Sequence, residues 1–255
     1  MTAAFRSAPV QQGLTLVELL VAMALGLLLV AGMMVLLTGS NRAFSLNSGI
    51  ADLQENGRFM LQFLKRDLQR AGWTDQDAFP AAREQLDRHI LLGAGASEDG
   101  VSIAGAPGLT TDVVAVQYHG SRDCLGNAAT GPYADDGVTG LVINIYRLHK
   151  SANAIELTCN GQPLIRQVER FEVLYGLRSA TGALRYVRAD AIPDGREADV
   201  HTLRIGMVMR NTGPVLKPAV QTLRVLDESF SVSDRYLHKV FTATIVLPNH
   251  PRFTE

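Results

Sequence analysis

Gly13-Leu14-Thr15-Leu16-Val17-Glu18 opens the stretch that decides the fold of this 255-residue chain. From Leu14 to Leu37 there are 24 residues, and 20 of them are Ala, Val, Ile, Leu or Met. The exceptions are Thr15, Glu18, Gly26 and Gly32. Ten Leu, three Met and no Pro favour helix over strand. At 1.5 Å per residue such a helix covers about 36 Å, enough to cross a hydrocarbon core of about 30 Å. A cleaved secretory signal fits poorly. Its apolar core is about 7–15 residues long and ends at an A-x-A-like site, whereas this run continues into Thr38-Gly39-Ser40-Asn41-Arg42. A plain anchor fits the length but leaves Glu18 unexplained. An ionised carboxylate inside a bilayer costs at least a few kcal/mol, so it marks a function and needs a partner.

Downstream of Leu37 the polarity rises while helical spacing persists. Ile50, Leu53, Gly57, Met60 with Leu61, Leu64, Leu68 and Ala71 recur at threes and fours, one stripe of an amphipathic helix. Gln62, Lys65, Arg66 and Gln69 lie off it, and Gly72 is a C-terminal stop signal. The spacing predicts one helix over 14–71, with Gly39 and Gly49 as places to bend or break it. Arg58 and Arg66 are candidate surface partners of Asp67 or of a neighbouring subunit, and such pairs contribute little. Strand-like runs follow at 112–119, 141–148, 154–159, 164–177, 184–188, 201–210 and 239–247, separated by turn signals. Leu203, Ile205, Met207 and Met209 alternate with Arg204, Gly206, Val208 and Arg210, the pattern of a sheet with one buried face. One long helix followed by many strands predicts an α+β layer architecture, with the amphipathic half of the helix covering an antiparallel sheet.

Composition excludes several classes. Lys plus Arg is 24 against 25 Asp plus Glu, so the net charge of −1 lacks the basic excess of a nucleic-acid binder. Two cysteines are too few for a disulfide-rich scaffold. The six histidines are scattered without His-x-x-x-His spacing, so no metal triad is signalled and no cofactor is expected. Neither a Gly-x-Ser-x-Gly nor a phosphate-binding loop occurs. Gly93-Ala94-Gly95 lacks the third glycine of a dinucleotide fingerprint, since Glu98 stands there, and reads as a surface loop. Asp135-Asp136-Gly137 suits a hard cation such as calcium, although a plain turn is the commoner use of these residues. Arg166, Arg170, Arg178, Arg185 and Arg188 are interleaved with Glu169, Glu172 and Asp190, and read as a solvated sheet face rather than a basic strip. No catalytic residue is expected.

The boundary Gly13-Leu14 followed by Glu18, after a short polar leader carrying Arg6, resembles the prepilin signature of type IV pilins and type II secretion pseudopilins. That resemblance implies a leader of residues 1–13 removed by a prepilin peptidase between Gly13 and Leu14. It implies N-methylation of Leu14 and a mature chain with Glu18 at position five, where the carboxylate neutralises a terminal ammonium as subunits pack. Glycine has no side chain to obstruct a protease cleft. The charges flanking the apolar run (Arg6 before it, Arg42 after it) give little positive-inside bias. The motif therefore sets the orientation, with the leader in the cytoplasm.

Further strings look like the PilW group of minor pilins. They include Glu55-Asn56-Gly57-Arg58-Phe59, Ala71-Gly72-Trp73, Asp123-Cys124-Leu125-Gly126-Asn127, Cys159-Asn160-Gly161-Gln162-Pro163-Leu164, Val168 to Gly176 and Val240 to Ile245. The resemblance implies a transmembrane and filament-core helix over 14–37, its amphipathic continuation over 38–72 and a periplasmic β-rich domain over 73–255. It implies priming of pilus assembly at the tip, with the prepilin peptidase, other minor pilins, the major pilin and the inner membrane as partners. A tip adhesin is a possible further partner, and adhesion, twitching motility and DNA uptake are the roles such pili serve. The alternative is a J-type pseudopilin of type II secretion, which neighbouring genes would distinguish. Cys124 and Cys159 lie on the exported side, where a disulfide is permitted. The pairing is favoured over two buried thiols, because unpaired cysteines in an exported domain risk misoxidation.

Overall fold

A computed structural model describes residues 15–74, 89–92, 98–102, 110–129, 140–152, 154–179, 181–215 and 218–249, without the side chains of 98–102. The chain divides into two compact units, Met1–Asn47 and Ser48–Glu255. One helix, α1 (Leu16–Leu68), supplies the described residues of the first unit beyond Thr15 and the opening of the second. It is unbroken at Gly39 and Gly49. It ends three residues before the expected Ala71, because Arg70 and Ala71 donate to the carbonyls three residues back and tighten the last turn. Gly72 then turns the chain at φ 77°, a left-handed position that suits glycine.

In the first unit, every described residue up to Ser45 is exposed, Leu29 (75%) and Leu36 (74%) among the most. This helix is long and apolar enough to cross a membrane.

In the second unit, α1 buries Leu53, Gly57, Met60, Leu64, Asp67 and Leu68. The apolar members are spaced by fours and threes, which keeps them on one face of a 3.6-residue helix. They join a single core with Tyr146, Phe171, Val173, Tyr175, Leu203, Ile205, Met207 and Ile245. Gly57 lies against the ring of Phe241, and a Cβ there would overlap the ring atoms.

Twelve strands follow among the described residues. The first sheet holds β1 (Ile90–Leu91), β3 (Thr110–Gly120), β4 (Gly140–Lys150), β5 (Ile155–Cys159) and β6 (Gln162–Arg166) in that order, with β2 (Glu98–Ser102) also on β3. The second has the order β12-β9-β7-β8, from β7 (Val168–Arg178), β8 (Leu184–Val187), β9 (Val200–Arg210) and β12 (His238–Val246). β10 (Ala219–Val225) and β11 (Glu228–Asp234) form a separate hairpin. Every pairing among the described residues is antiparallel. The fold class is therefore α+β, as the residue pattern predicts.

Three details differ from the sequence expectation. The run over 164–177 is two strands. Gln167 adopts φ 65° and carries the chain from the first sheet into the second. β9 is buried on both faces, Gly206 and Val208 included, because it lies centrally between β12 and β7 and the β10–β11 turn covers its second face. A Cβ at Gly206 would meet Val225 and Leu226, so glycine lets the hairpin approach. Asp67, expected to pair at the surface, is 7% exposed on the core-facing side of α1.

Candidate functional site

The first unit presents Glu18 in the opening turn of α1, exposed like its neighbours. Thr15 precedes the helix, and its Oγ1 accepts the Glu18 amide at 3.3 Å. That satisfies one of the amides a helix start leaves unpaired. Thr-x-x-Glu is also the sequence of a capping box. The carboxylate of Glu18 sits where the helix dipole is positive, which lowers the cost of its charge in an apolar setting. At the far end of the apolar run, the Thr38 hydroxyl donates to the Met34 carbonyl at 2.7 Å. Gly13 and Leu14, the expected cleavage and methylation positions, lie outside the described residues, as do Asp135 and Asp136.

In the second unit the chemistry-bearing residues gather where α1 ends on the first sheet. The Asp67 carboxylate accepts Tyr146 Oη at 2.6 Å, Asn144 Nδ2 at 2.7 Å and Tyr118 Oη at 3.0 Å. Arg70 lies 3.8 Å away and its guanidinium covers the Tyr118 ring at 4.2 Å. Burial, reinforced by the charge of Asp67, pushes both tyrosine hydroxyls well above their ordinary range. They remain donors at any physiological pH. β3 places Tyr118 and β4 places Asn144 and Tyr146 two residues apart, on the same sheet face. No local pattern announces this cluster, since its partners are 51 to 79 positions from Asp67.

The structure bonds Cys124 to Cys159, with Cα atoms 6.5 Å apart. The bond ties the turn after β3 to the last residue of β5. Asn144 links this staple to the Asp67 cluster, because its Oδ1 accepts the Cys124 amide at 3.2 Å. The Asp123 carboxylate caps the same turn by accepting the amides of Leu125 and Asn127. A cleft of about 270 Å³ lies beside the bond, lined by Phe59, Phe63, Arg66, Asp67, Arg70 and Cys124 among others.

Three of the five arginines read as a solvated sheet face are engaged by contacts of 2.7 to 3.1 Å, two of them in ion pairs. Arg188 meets Asp227 at 3.1 Å and Glu228 at 2.7 Å, Arg166 meets Glu156 at 2.9 Å, and Arg170 donates to the Thr110 carbonyl at 2.7 Å.

Residues 9–34 match the prokaryotic N-terminal methylation motif, and residues 136–249 match the Type IV Pilus-assembly protein W family, PilW. The chain carries a PilW domain behind a prepilin-type methylation motif. The PilW match takes in β4 to β12, and therefore both partners that β4 gives to Asp67 as well as Cys159. PilW is a pilus-assembly family, not an enzyme family, and the match does not favour the secretion alternative. No curated protein matches the chain. The solved type IV-like pilin TTHA1219 from Thermus thermophilus is similar over 80% of this chain and 98% of its own, at 15% identity and a TM-score of 0.42. The exposed apolar helix and the methylation motif fit a membrane-anchored pilin with a folded domain after the anchor.

Proposed function

We propose that this chain is a minor pilin that helps prime type IV pilus assembly at the pilus tip. A prepilin peptidase cuts between Gly13 and Leu14, and the new amine of Leu14 is methylated. The single-pass helix holds the chain in the inner membrane with its bulk in the periplasm until it enters the filament. There it meets the major pilin and other minor pilins. The observation that carries this reading is one continuous helix whose first part is fully exposed and apolar apart from Glu18, leading into a PilW domain.

Glu18 has the geometry of a group that waits for an external partner. Its backbone is capped by Thr15, but among the described residues no side chain pairs its carboxylate. An unpaired charge in an apolar setting costs several kcal/mol, whereas a paired one is tolerated. The ammonium of a processed subunit is such a pair. Glu18→Ala is expected to be cleaved normally and to be lost from sheared filaments. Normal recovery of the variant in filaments overturns the assigned role. Co-purification of the full chain with the other minor pilins tests the priming complex, and failure to bind any of them counts against it.

A further inference from the structure

Three side chains meet at one end of the second sheet. Glu169 stands at the start of β7, Asp234 ends β11, and His238 begins β12. His238 Nε2 lies 2.9 Å from Glu169 Oε2 and 3.4 Å from Asp234 Oδ2, and the three ligand atoms all lie within 4.8 Å of one another. The imidazole side chain is 0% exposed, while the carboxylates keep 20% and 30% exposure.

Each carboxylate is held by its other oxygen. Glu169 Oε1 takes the Arg210 guanidinium at 3.0 Å, and that guanidinium stacks on Tyr236 at 4.0 Å. Asp234 Oδ1 accepts the Tyr236 amide at 2.9 Å. The backbone before His238 is fixed as well, because Leu237 exchanges bonds with Asn211 at 2.8 and 3.1 Å. The free oxygens therefore converge on Nε2 from supported positions, the arrangement that outer contacts give to metal ligands. His238 Nε2 is buried and faces both oxygens, close enough to Glu169 Oε2 for an ion pair when the ring is protonated.

We propose that Glu169, Asp234 and His238 bind one divalent transition-metal ion of the zinc type. Imidazole and carboxylate together suit zinc and its neighbours, whereas calcium and magnesium take oxygen ligands. Zinc holds nitrogen and oxygen ligands at about 2.0–2.2 Å, which places tetrahedral neighbours about 3.3 Å apart. The observed separations from Nε2 bracket that value. Three protein ligands leave a fourth position, reached from the partly exposed carboxylate side, for water or a partner's side chain. With neutral His238, the two carboxylates outweigh Arg210, so the site is net negative and favours a dication. The sequence signal was Asp234-x-x-x-His238, with the third ligand 65 positions earlier and brought in only by the β7–β9–β12 pairing.

The test uses the full chain in detergent, stripped with chelator and then titrated with zinc in a calorimeter. One ion per chain and a higher melting temperature are expected, since a ligand of the native state stabilises it by mass action. Magnesium is expected to do neither. Cobalt(II) is expected to give the intense visible bands of a four-coordinate site. Asp234→Asn, which keeps the oxygen that accepts Tyr236, and His238→Gln are each expected to weaken zinc binding at least tenfold. The metal-free melting curve of each variant reports whether it folds. Zinc binding unchanged in folded Asp234→Asn, no heat or melting shift at millimolar zinc, or only the spectrum of aqueous cobalt overturns the site. If the three groups merely share a proton as an ion pair, zinc produces no saturable response.

Discussion

Replacing Asp67 by Ala is the most informative perturbation of the folded unit. The carboxylate is 7% exposed and accepts three hydrogen bonds of 2.6 to 3.0 Å. Removing it affects its donors unequally. Asn144 Nδ2 also donates to Tyr118 Oη at 3.1 Å, so these two retain a partner in each other. Tyr146 Oη, on a fully buried ring, has no such fallback among the described residues. An unsatisfied buried donor costs about 1–3 kcal/mol, and each lost bond to a charged acceptor about 1.5–3 kcal/mol. Since these terms overlap, the sum expected for Asp67→Ala is about 3–5 kcal/mol. The Arg70 contact adds little, because Arg70 is 43% exposed and its nitrogen is 3.8 Å away. Urea unfolding of the full chain, followed by tyrosine and tryptophan fluorescence, is expected to show a lower midpoint with an unchanged slope. Tyr146→Phe alone removes a donor and its need together, and is expected to cost about 1 kcal/mol. The double variant is then expected to be less destabilised than the sum of the singles. A loss under about 0.5 kcal/mol for Asp67→Ala, the range of an ordinary surface change, would refute the anchor role.

Four other outcomes are expected. Gly57→Leu drives a side chain into Phe241 and is expected to cost about 1–3 kcal/mol or more, with part recovered in the double variant Gly57→Leu, Phe241→Ala; melting curves check both. Reduction of Cys124–Cys159, which closes a 35-residue separation, is expected to lower stability by about 3–4 kcal/mol in the chain-entropy model, read as a shift of the urea midpoint with reductant. His89 is buried and donates through Nε2 to the Val200 carbonyl at 2.7 Å, and burial lowers its pKa from 6.5 to about 4. The unfolded chain takes up that proton first, so stability present above pH 6.5 is lost as the pH falls toward 4; His89→Gln is expected to flatten that limb of the profile. Glu172 behaves oppositely, because burial and then the neighbouring Asp112 charge raise its pKa. Its contribution is full below the ordinary carboxylate range and declines as the pH rises, so Glu172→Gln is expected to raise the urea midpoint most at alkaline pH.

What could be read from the residues follows from how local each signal is. The apolar run, the stripe from Leu53 to Leu68 and the seven expected strand runs are local patterns, and each falls on helix or strand. The β10–β11 hairpin was not legible. Its strands alternate between exposed and half-buried residues, and its turn uses Leu226 at φ 51° and Asp227 rather than glycine or asparagine. Asp67 was misplaced for a different reason. A carboxylate beside Arg66 and near Arg70 has the look of a surface pair, and only the register of β3 against β4 delivers the donors that let it be buried.

Glu18 and Asp67 belong to the same helix and make a comparison that neither makes alone. Asp67 is desolvated inside the folded unit, and its cost is met there by two tyrosines, an asparagine and a nearby arginine. Glu18 lies in a run that a bilayer or a filament core would desolvate at least as fully, yet the described chain offers it a backbone cap and no cation. Desolvation of a carboxylate costs several kcal/mol wherever it occurs. The folded unit answers that cost in cis. Among the described residues the anchor leaves it unanswered, and on the proposed function a neighbouring subunit meets it. On this reasoning a cation supplied in trans should restore a Glu18-dependent assembly step, whereas no substitution within the Asp67 cluster should change filament entry except through stability.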